Sequence, residues 1–348
     1  MMFFVRIEDL KILYIGSLNS NSNSFRRYKA LTQLSNNVIA LDTEPFLNNS
    51  FKKIQYHFNI GPGIFRMNNK IRFIAKNETP DIILVDNKPY LFSSTLKFIK
   101  ATDAKIKIAN IVTDDPFGLY GRSWYIFRKT AKLYDVIFVQ REVNIDELKS
   151  MGVKKVELCL RSYDPDFNKP EILNKDDKEK YGTKVGFIGS YEDVRASYIA
   201  HLINNGIPVS VTGAGWENAK YWEIIKPYYR APFAYGDEFI KTICGMDIAL
   251  HFLRHANRDE QDSRTFELPS SGTFMLAEKS KIHLSLFEDG KEAVYFDTMD
   301  DLLNKVKYYL SNPLERIQIA AAGYNRCITS GYSHKDRLIQ VINTIINS

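Results

Sequence analysis

Cysteine is scarce. Cys159, Cys244 and Cys327 lie far apart, and no two of them form a CxxC. An odd, sparse set of this kind speaks against a disulfide framework and for reduced thiols in the cytoplasm, packed in apolar or helical surroundings. No His/Cys cluster has zinc-ligand spacing, so no metal is expected. Long apolar runs are missing too. The opening residues, MMFFVRIEDLKILYIG, are broken by Arg6, Glu8, Asp9 and Lys11, which does not fit a signal peptide. No stretch approaches the ~20 apolar residues of a spanning helix. The expectation is a cytoplasmic protein that touches a membrane at most peripherally. There is also no Lys/Arg block. The net charge of +6 is spread along the chain, which argues against a nucleic-acid partner and suits anionic small molecules or an anionic lipid surface.

What is present is ordinary for a folded protein. Apolar residues make up 45% and charged residues 25% of the chain, so disorder is not its main state. The 348 residues suffice for two domains. Short apolar runs bounded by polar or turn residues read as buried strands: KILYI (11–15), NVIALD (37–42), DIILVD (81–86), KIKIANIV (105–112) and DVIFVQ (135–140). Segments with helical spacing, such as SFRRYKALTQLS and SSTLKFIKAT, lie between several of them. Such alternation predicts an α/β fold, a parallel sheet with helices on both faces. The polar, charge-rich stretch around Pro165 and Pro170 reads as a linker, after which the alternation restarts. KVGFIGS, PVSVTGAG, DIALHFL, GTFMLAE and EAVYFD are the strands of a second domain, and the tail from Thr298 is mostly helical. The expected division is 1–165, a linker at 166–183, a second domain at 184–333 and a C-terminal helix at 334–348 that packs back on the first domain. Doubly wound sheets bind ligands at the carboxyl ends of their strands, and the cleft between two such domains is the expected site.

Four stretches carry candidate chemistry. In IGSYEDVR, Gly189 turns the chain from a strand into a helix whose free N–H groups suit an anion, with Arg195 in reach of a phosphate. The alternative is a plain strand-to-helix turn. In VTGAGW, Gly213 and Gly215 admit either a ligand or another backbone segment, and the full GxGxxG spacing is absent. The loop GSLNSNSNSFRRY (16–28) shapes an acceptor pocket or is merely surface. TDDPFG (113–118) places Asp114 and Asp115 at a strand's carboxyl end, where one of them can act as general base on a hydroxyl or the pair can serve as a turn before Pro116. In NRDEQDSRTFELPSSGTFMLAE, Arg264 and Glu267 fall on one helix face, and Ser270, Ser271 and Gly272 end that helix. A carboxylate there can accept both hydroxyls of a ribose and the arginine can neutralise a diphosphate, or the two form a structural pair. GRSWYIFRKTAKLY (121–134) mixes basic and aromatic residues, as a helix resting on anionic lipid would, or as one with rings inward and charges outward.

The pattern N-R-D, S-R-T-F-E-L-P and S-G-T-F-M-L-A-E, continued through LFEDGKEAVYFDTMDDLLNKVKYYLSNPLERIQIAAAGYNRC, resembles the C-terminal domain of CgeB-like, group 1 glycosyltransferases, over most of 184–340. TDDPF is similar to that family's DDPF stretch. The resemblance implies a GT-B fold of two Rossmann-like domains, the second holding a nucleotide-sugar donor. It implies a hexosyltransferase-type enzyme that needs no metal or other cofactor and acts on a glycan or lipid-linked saccharide in polysaccharide biosynthesis. Glu267 then matches the ribose-binding glutamate. Arg264, Gly189 and Arg195 lie near the diphosphate, with Gly213, Gly215, Ser271 and Gly272 completing the donor site and Asp114 and Asp115 as the catalytic candidates. Glu260 stands at the offset of a second glutamate in the family, but its neighbours do not match. A nucleotide-sugar epimerase of the same architecture would need acids and histidines in the cleft, with His251 and His255 as the candidates. A nucleotide-binding scaffold protein without turnover is the third reading.

Overall fold

A computed structural model describes residues 6–48, 52, 55, 58–88, 90–119 and 121–348. The chain divides into two compact units. One comprises Met1–Arg161, His255–Arg258 and His334–Ser348, the other Ser162–Arg254 and Asp259–Ser333.

The first unit holds β1 (Lys11–Gly16), β2 (Asn37–Asp42), β3 (Ile82–Asp86), β4 (Lys107–Val112), β5 (Val136–Val139) and β6 (Val156–Leu158). All neighbours pair parallel, in the order β2-β1-β3-β4-β5-β6. Successive residues of a strand face opposite sides. Leu13, Ile15, Ile83 and Val85 therefore pack with Ile64, Met67 and Ile71 of the Pro62–Glu78 helix and Leu96 and Ile99 of the Ser93–Thr102 helix. Ile12, Tyr14, Ile82 and Leu84 face Leu338, Val341, Ile342 and Ile345 instead. Those four lie at i, i+3, i+4 and i+7 of the His334–Ile346 helix, and this stripe is what docks the end of the chain on the first sheet. Each such burial contributes about 1.5–3 kcal/mol before ordering entropy.

The second unit repeats the scheme with β7 (Thr183–Ile188), β8 (Ser210–Thr212), β9 (Tyr229–Ala231), β10 (Met246–His251), β11 (Met275–Glu278) and β12 (Val294–Phe296). Its order is β12-β11-β10-β7-β8-β9, again parallel throughout. The α/β class expected from the alternation is the observed one: two doubly wound sheets flanked by helices.

Three local expectations change. Residues 166–183 are not irregular throughout: Lys175–Tyr181 is a helix, with Asn174 capping the Asp177 amide at 2.8 Å. The stretch 121–134 is not one amphipathic helix. A 3-10 turn at Gly121–Trp124, a short helix at Tyr125–Thr130 and a second 3-10 turn follow one another, and Trp124 and Phe127 are buried in the first core. Of its rings Trp124, Tyr125, Phe127 and Tyr134, only Tyr125 faces water, which is the rings-inward alternative and not the lipid-facing row. The Pro62–Glu78 helix adds to the expected segments; proline at its first turn and apolar residues at 64, 67, 71 and 74 mark it. Among the described residues, no helix is long and apolar enough to cross a membrane.

The strand order reverses between β1 and β3 in the first sheet and between β7 and β10 in the second. Those two reversals are where each sheet opens a crevice at its carboxyl edge.

Candidate functional site

In the second unit the reversal is flanked by Ile188, ending β7, and His251, ending β10. The Gly189 amide donates to Thr212 O at 2.9 Å, and Trp216 Nε1 donates to Gly189 O at 2.9 Å. A Cβ on Gly213, whose φ is 152°, would lie 1.8 Å from Gly189 O. Of the two readings for Gly213, the close neighbour is therefore backbone. The turns after β7 and β8 form one interlocked surface, from which Gly215 (φ 85°) leads into the Trp216–Asn218 turn. Gly213→Ala is expected to cost about 3 kcal/mol in urea unfolding, from clash and backbone strain together. Gly206→Ala is the control: it shares a positive φ of 79° but meets nothing within 4 Å. It should cost about 1 kcal/mol.

Arg195 is buried and spends its guanidinium on backbone. Nη1 donates to Ser190 O (3.0 Å) and Nη2 to Phe252 O (3.2 Å), which ties the β7 turn to the residue after β10. The helix that carries it, Asp193–Asn204, opens on Glu192 and Asp193, and Glu192 also accepts from Arg254 Nε at 3.2 Å. The first turn of this helix thus carries negative charge of its own, which disfavours an anion there. Of the two readings for this turn, the arginine takes the structural one: Arg195 stiffens it.

The Arg264–Ser270 helix places a partly buried cation at the crevice. Arg264 Nε donates to Ile188 O at 3.2 Å, its guanidinium stands 4.6 Å from the Phe239 ring centre, and Nη1 pairs with Glu267 Oε2. The Glu267 side chain is 4% exposed and that of Arg264 25%. Behind them Asp262 Oδ1 accepts from the Arg264 amide (2.7 Å) and lies 2.9 Å from His251 Nε2. Burial alone would raise the Asp262 pKa, but His251, Arg264 and Arg195 outweigh it and hold the carboxyl well below its usual range. Thr265 Oγ1 stands 2.9 Å from His283 Nε2, while His283 Nδ1 faces Glu278 O at 2.7 Å. A carbonyl only accepts, so Nδ1 carries the proton and Nε2 accepts from the threonine. Burial pushes the His283 pKa down to about 3, which keeps the ring neutral.

Ser271 and Gly272 do not join this group. Their helix is the crossover from the carboxyl end of β10 to the amino end of β11, so its last residues emerge at the opposite edge of the sheet. There Cys244 Sγ donates to Ser271 O (3.6 Å), Gly272 turns beside Pro170 with φ 72°, and both line a cavity of about 270 Å³ with Met246 and Arg316. Their expected donor contact is corrected to a structural one. His251 is a core residue, 1% exposed, and His255 belongs to the first unit.

In the first unit, β4 leads into TDDPFG, and its two carboxylates differ sharply. The Asp115 side chain is 0% exposed. It accepts from Phe117 N (2.9 Å), Asn144 Nδ2 (3.0 Å), Arg258 Nε (2.5 Å) and Arg258 Nη2 (2.9 Å). Oδ1 accepts three of these hydrogen bonds and Oδ2 the fourth, from Arg258 Nε. Burial alone would raise its pKa, yet Arg258, the Phe117 amide and Asn144 carry it below the usual value. Arg258 also bridges to Glu147, and Asn257 Oδ1 accepts from the Asp115 amide at 2.9 Å. Asp115 is therefore corrected from base candidate to keystone of the turn. The Asp114 side chain is 44% exposed, with Asn87 Nδ2 at 3.4 Å and Arg161 Nη2 at 3.8 Å among the described residues. Lys88, between the rings of Tyr90 (5.2 Å) and Trp124 (5.8 Å), is lowered to about 8 by burial, partly offset by Asp114. The loop 16–28 contributes its last residues to the Asn23–Thr32 helix, capped by Ser22. Among the described residues no group of three or more acids, histidines or cysteines could hold a metal ion.

Residues 195–343 match the model of a family described as glycosyl transferase-like. That span holds Arg195, Gly213, Gly215, Arg264 and Glu267 and leaves the first sheet outside. No curated protein matches the chain in sequence. Solved structures share the fold. A glycosyltransferase from Rickettsia africae superposes with a TM-score of 0.65 at 12% identity, over 97% of this chain and 98% of that one. Anabaena HepE in complex with UDP-glucose gives 0.65 at 11% identity, over 98% and 100%. A Listeria monocytogenes protein assigned as a UDP-N-acetylglucosamine 2-epimerase gives 0.55 at 10% identity, over 96% and 95%. The two-sheet architecture is thus that of GT-B proteins.

Proposed function

We propose that the chain is a glycosyltransferase, of the CgeB-like group and hexosyltransferase type, that moves a sugar from a nucleotide-sugar to a hydroxyl of a glycan or lipid-linked saccharide in polysaccharide biosynthesis. One observation carries the reading. At the strand-order reversal of the second sheet, a buried glutamate is paired with an arginine braced on Ile188 O and Phe239. Both lie within the segment that matches the glycosyl transferase-like family. The Glu267 carboxylate accepts the two ribose hydroxyls. Arg264 opposes the charge that develops on the leaving nucleoside diphosphate, a role that needs no metal. Asp114, the carboxylate with room for a donor, takes the proton of the acceptor hydroxyl. An epimerase has less support, because His251 is buried against Asp262.

The test is a thermal-shift panel of UDP, GDP, ADP, dTDP, CDP and CMP, each with EDTA and with magnesium. One nucleotide at about 100 times its Kd should raise Tm by roughly 5–10 °C in EDTA. A panel flat under both conditions would remove the donor site. A shift with no transfer to any acceptor would leave a nucleotide-binding scaffold.

A further inference from the structure

The solvent face of the Pro62–Glu78 helix is unlike that of an ordinary surface helix. Its buried side is complete: Ile64, Met67, Asn68, Ile71, Ile74 and Ala75 all face the core. At 100° per residue, Phe65, Asn69, Arg72, Phe73 and Lys76 form one stripe on the opposite side, with Arg66 and Lys70 beside it. Phe65 is 50% and Phe73 61% exposed, and Phe98 of the neighbouring Ser93–Thr102 helix is 36% exposed. The cations stand over these rings: Lys70 Nζ lies 5.2 Å from the Phe73 centre and the Arg72 guanidinium 5.9 Å from that of Phe98. The Ser93–Thr102 helix adds Lys97 and contains no acid. Glu78, the one acid of the longer helix, sits at its far end and is paired with Lys11 at 2.8 Å.

We propose that this face, Phe65, Phe73 and Phe98 with Arg66, Lys70, Lys76 and Lys97, docks the first unit on an anionic lipid membrane. The chemistry is that of an interfacial helix, in which rings enter the acyl boundary and a one-signed basic rim meets acidic headgroups. Charge decides between occupants. Two copies of this chain meeting face to face would set like charges against each other, which disfavours a dimer through this surface. The exposed pair Leu314 and Ile317 lacks the pattern, since it flanks Glu315.

The experiment is flotation of the full chain with phosphatidylcholine vesicles and with vesicles containing about one-third phosphatidylglycerol, at low and high salt. The chain should float with the anionic vesicles only, and less at high salt. Lys70→Glu/Lys76→Glu and Phe65→Ser/Phe73→Ser should each lower the bound fraction about tenfold. Lys70 and Lys76 are exposed, so the Tm of that variant should hold; Phe65 also packs on Phe92 with ring centres 5.1 Å apart, so the phenylalanine variant is floated well below its own Tm. No flotation on anionic vesicles, or flotation indifferent to both double variants, would overturn the proposal. So would a concentration-dependent dimer in sedimentation that Phe65→Ser/Phe73→Ser abolishes, because the face would then be a self-association surface. Neither readout depends on sugar transfer, so the donor-site reading stands or falls separately.

Discussion

Glu267→Ala should remove nucleotide binding while the second unit stays folded. A carboxylate that accepts two ribose hydroxyls makes two charge-assisted hydrogen bonds, each contributing about 1.5–3 kcal/mol. Loss of both corresponds to a Kd weakened by about 100-fold or more. The structural cost is of similar size. Arg264 loses its ion-pair partner but is 25% exposed and keeps Ile188 O and the Phe239 ring. The stability loss should therefore be about 3 kcal/mol, the lower end of the range for breaking a buried ion pair. Titration calorimetry with the nucleotide that gives the thermal shift, beside circular dichroism of the folded variant, separates the two effects. Arg264→Ala sharpens the assignment. It should weaken a nucleoside diphosphate far more than the matching nucleoside, because only the former carries the charge that Arg264 opposes. If Glu267→Ala binds nucleotide as the unaltered chain does, the carboxylate is a structural partner of Arg264 and the donor sits elsewhere.

Much of this site is visible in the chain because its key relation is local. Arg264 and Glu267 are one helical turn apart, and a charged turn entered from a loop and left through Ser-Ser-Gly is legible as a short helix. The strands are legible for the same reason, being short apolar runs with polar ends. What escapes is direction and distance. Ser271 and Gly272 belong to the same motif as Glu267, but a crossover helix carries its start and its end to opposite edges of the sheet. The motif therefore reads as one site where the fold makes two places. Arg195 looks like a phosphate ligand because a helix start follows a glycine, while the carbonyls that claim it, at Ser190 and Phe252, are set by sheet order. The short edge strands β6 and β9 hold three residues each, too few for alternation to register.

Asp115 is the sharpest case, because its partners come from positions 144 and 258 and no spacing connects them. Asp115→Asn should destabilise the first unit by about 3 kcal/mol. That is the lower end of the range for breaking a buried ion pair, since Arg258 keeps 36% of its side chain exposed and is still held by Glu147. The pH dependence has a definite sign. The Asp115 pKa is depressed in the folded chain, so its stabilisation is fully present above the unfolded carboxylate value of about 3.9 and fades as pH falls through the folded value. The gap between the unaltered chain and Asp115→Asn in urea unfolding should thus be widest above about pH 4 and shrink on acidification. Asp114→Asn should do the reverse. Its carboxylate is half in water, and among the described residues Asn87 at 3.4 Å and Arg161 at 3.8 Å pair with it, so stability should change by less than about 1 kcal/mol. Sugar transfer should nonetheless fall by about 10²–10⁴-fold if Asp114 takes the acceptor proton. Two adjacent aspartates would then divide the work, one holding the turn and the other facing the substrate. If Asp115→Asn unfolds no earlier than Asp114→Asn, the buried network is not what holds TDDPFG. If Asp114→Asn transfers sugar at the full rate, the general base has to be sought outside this turn.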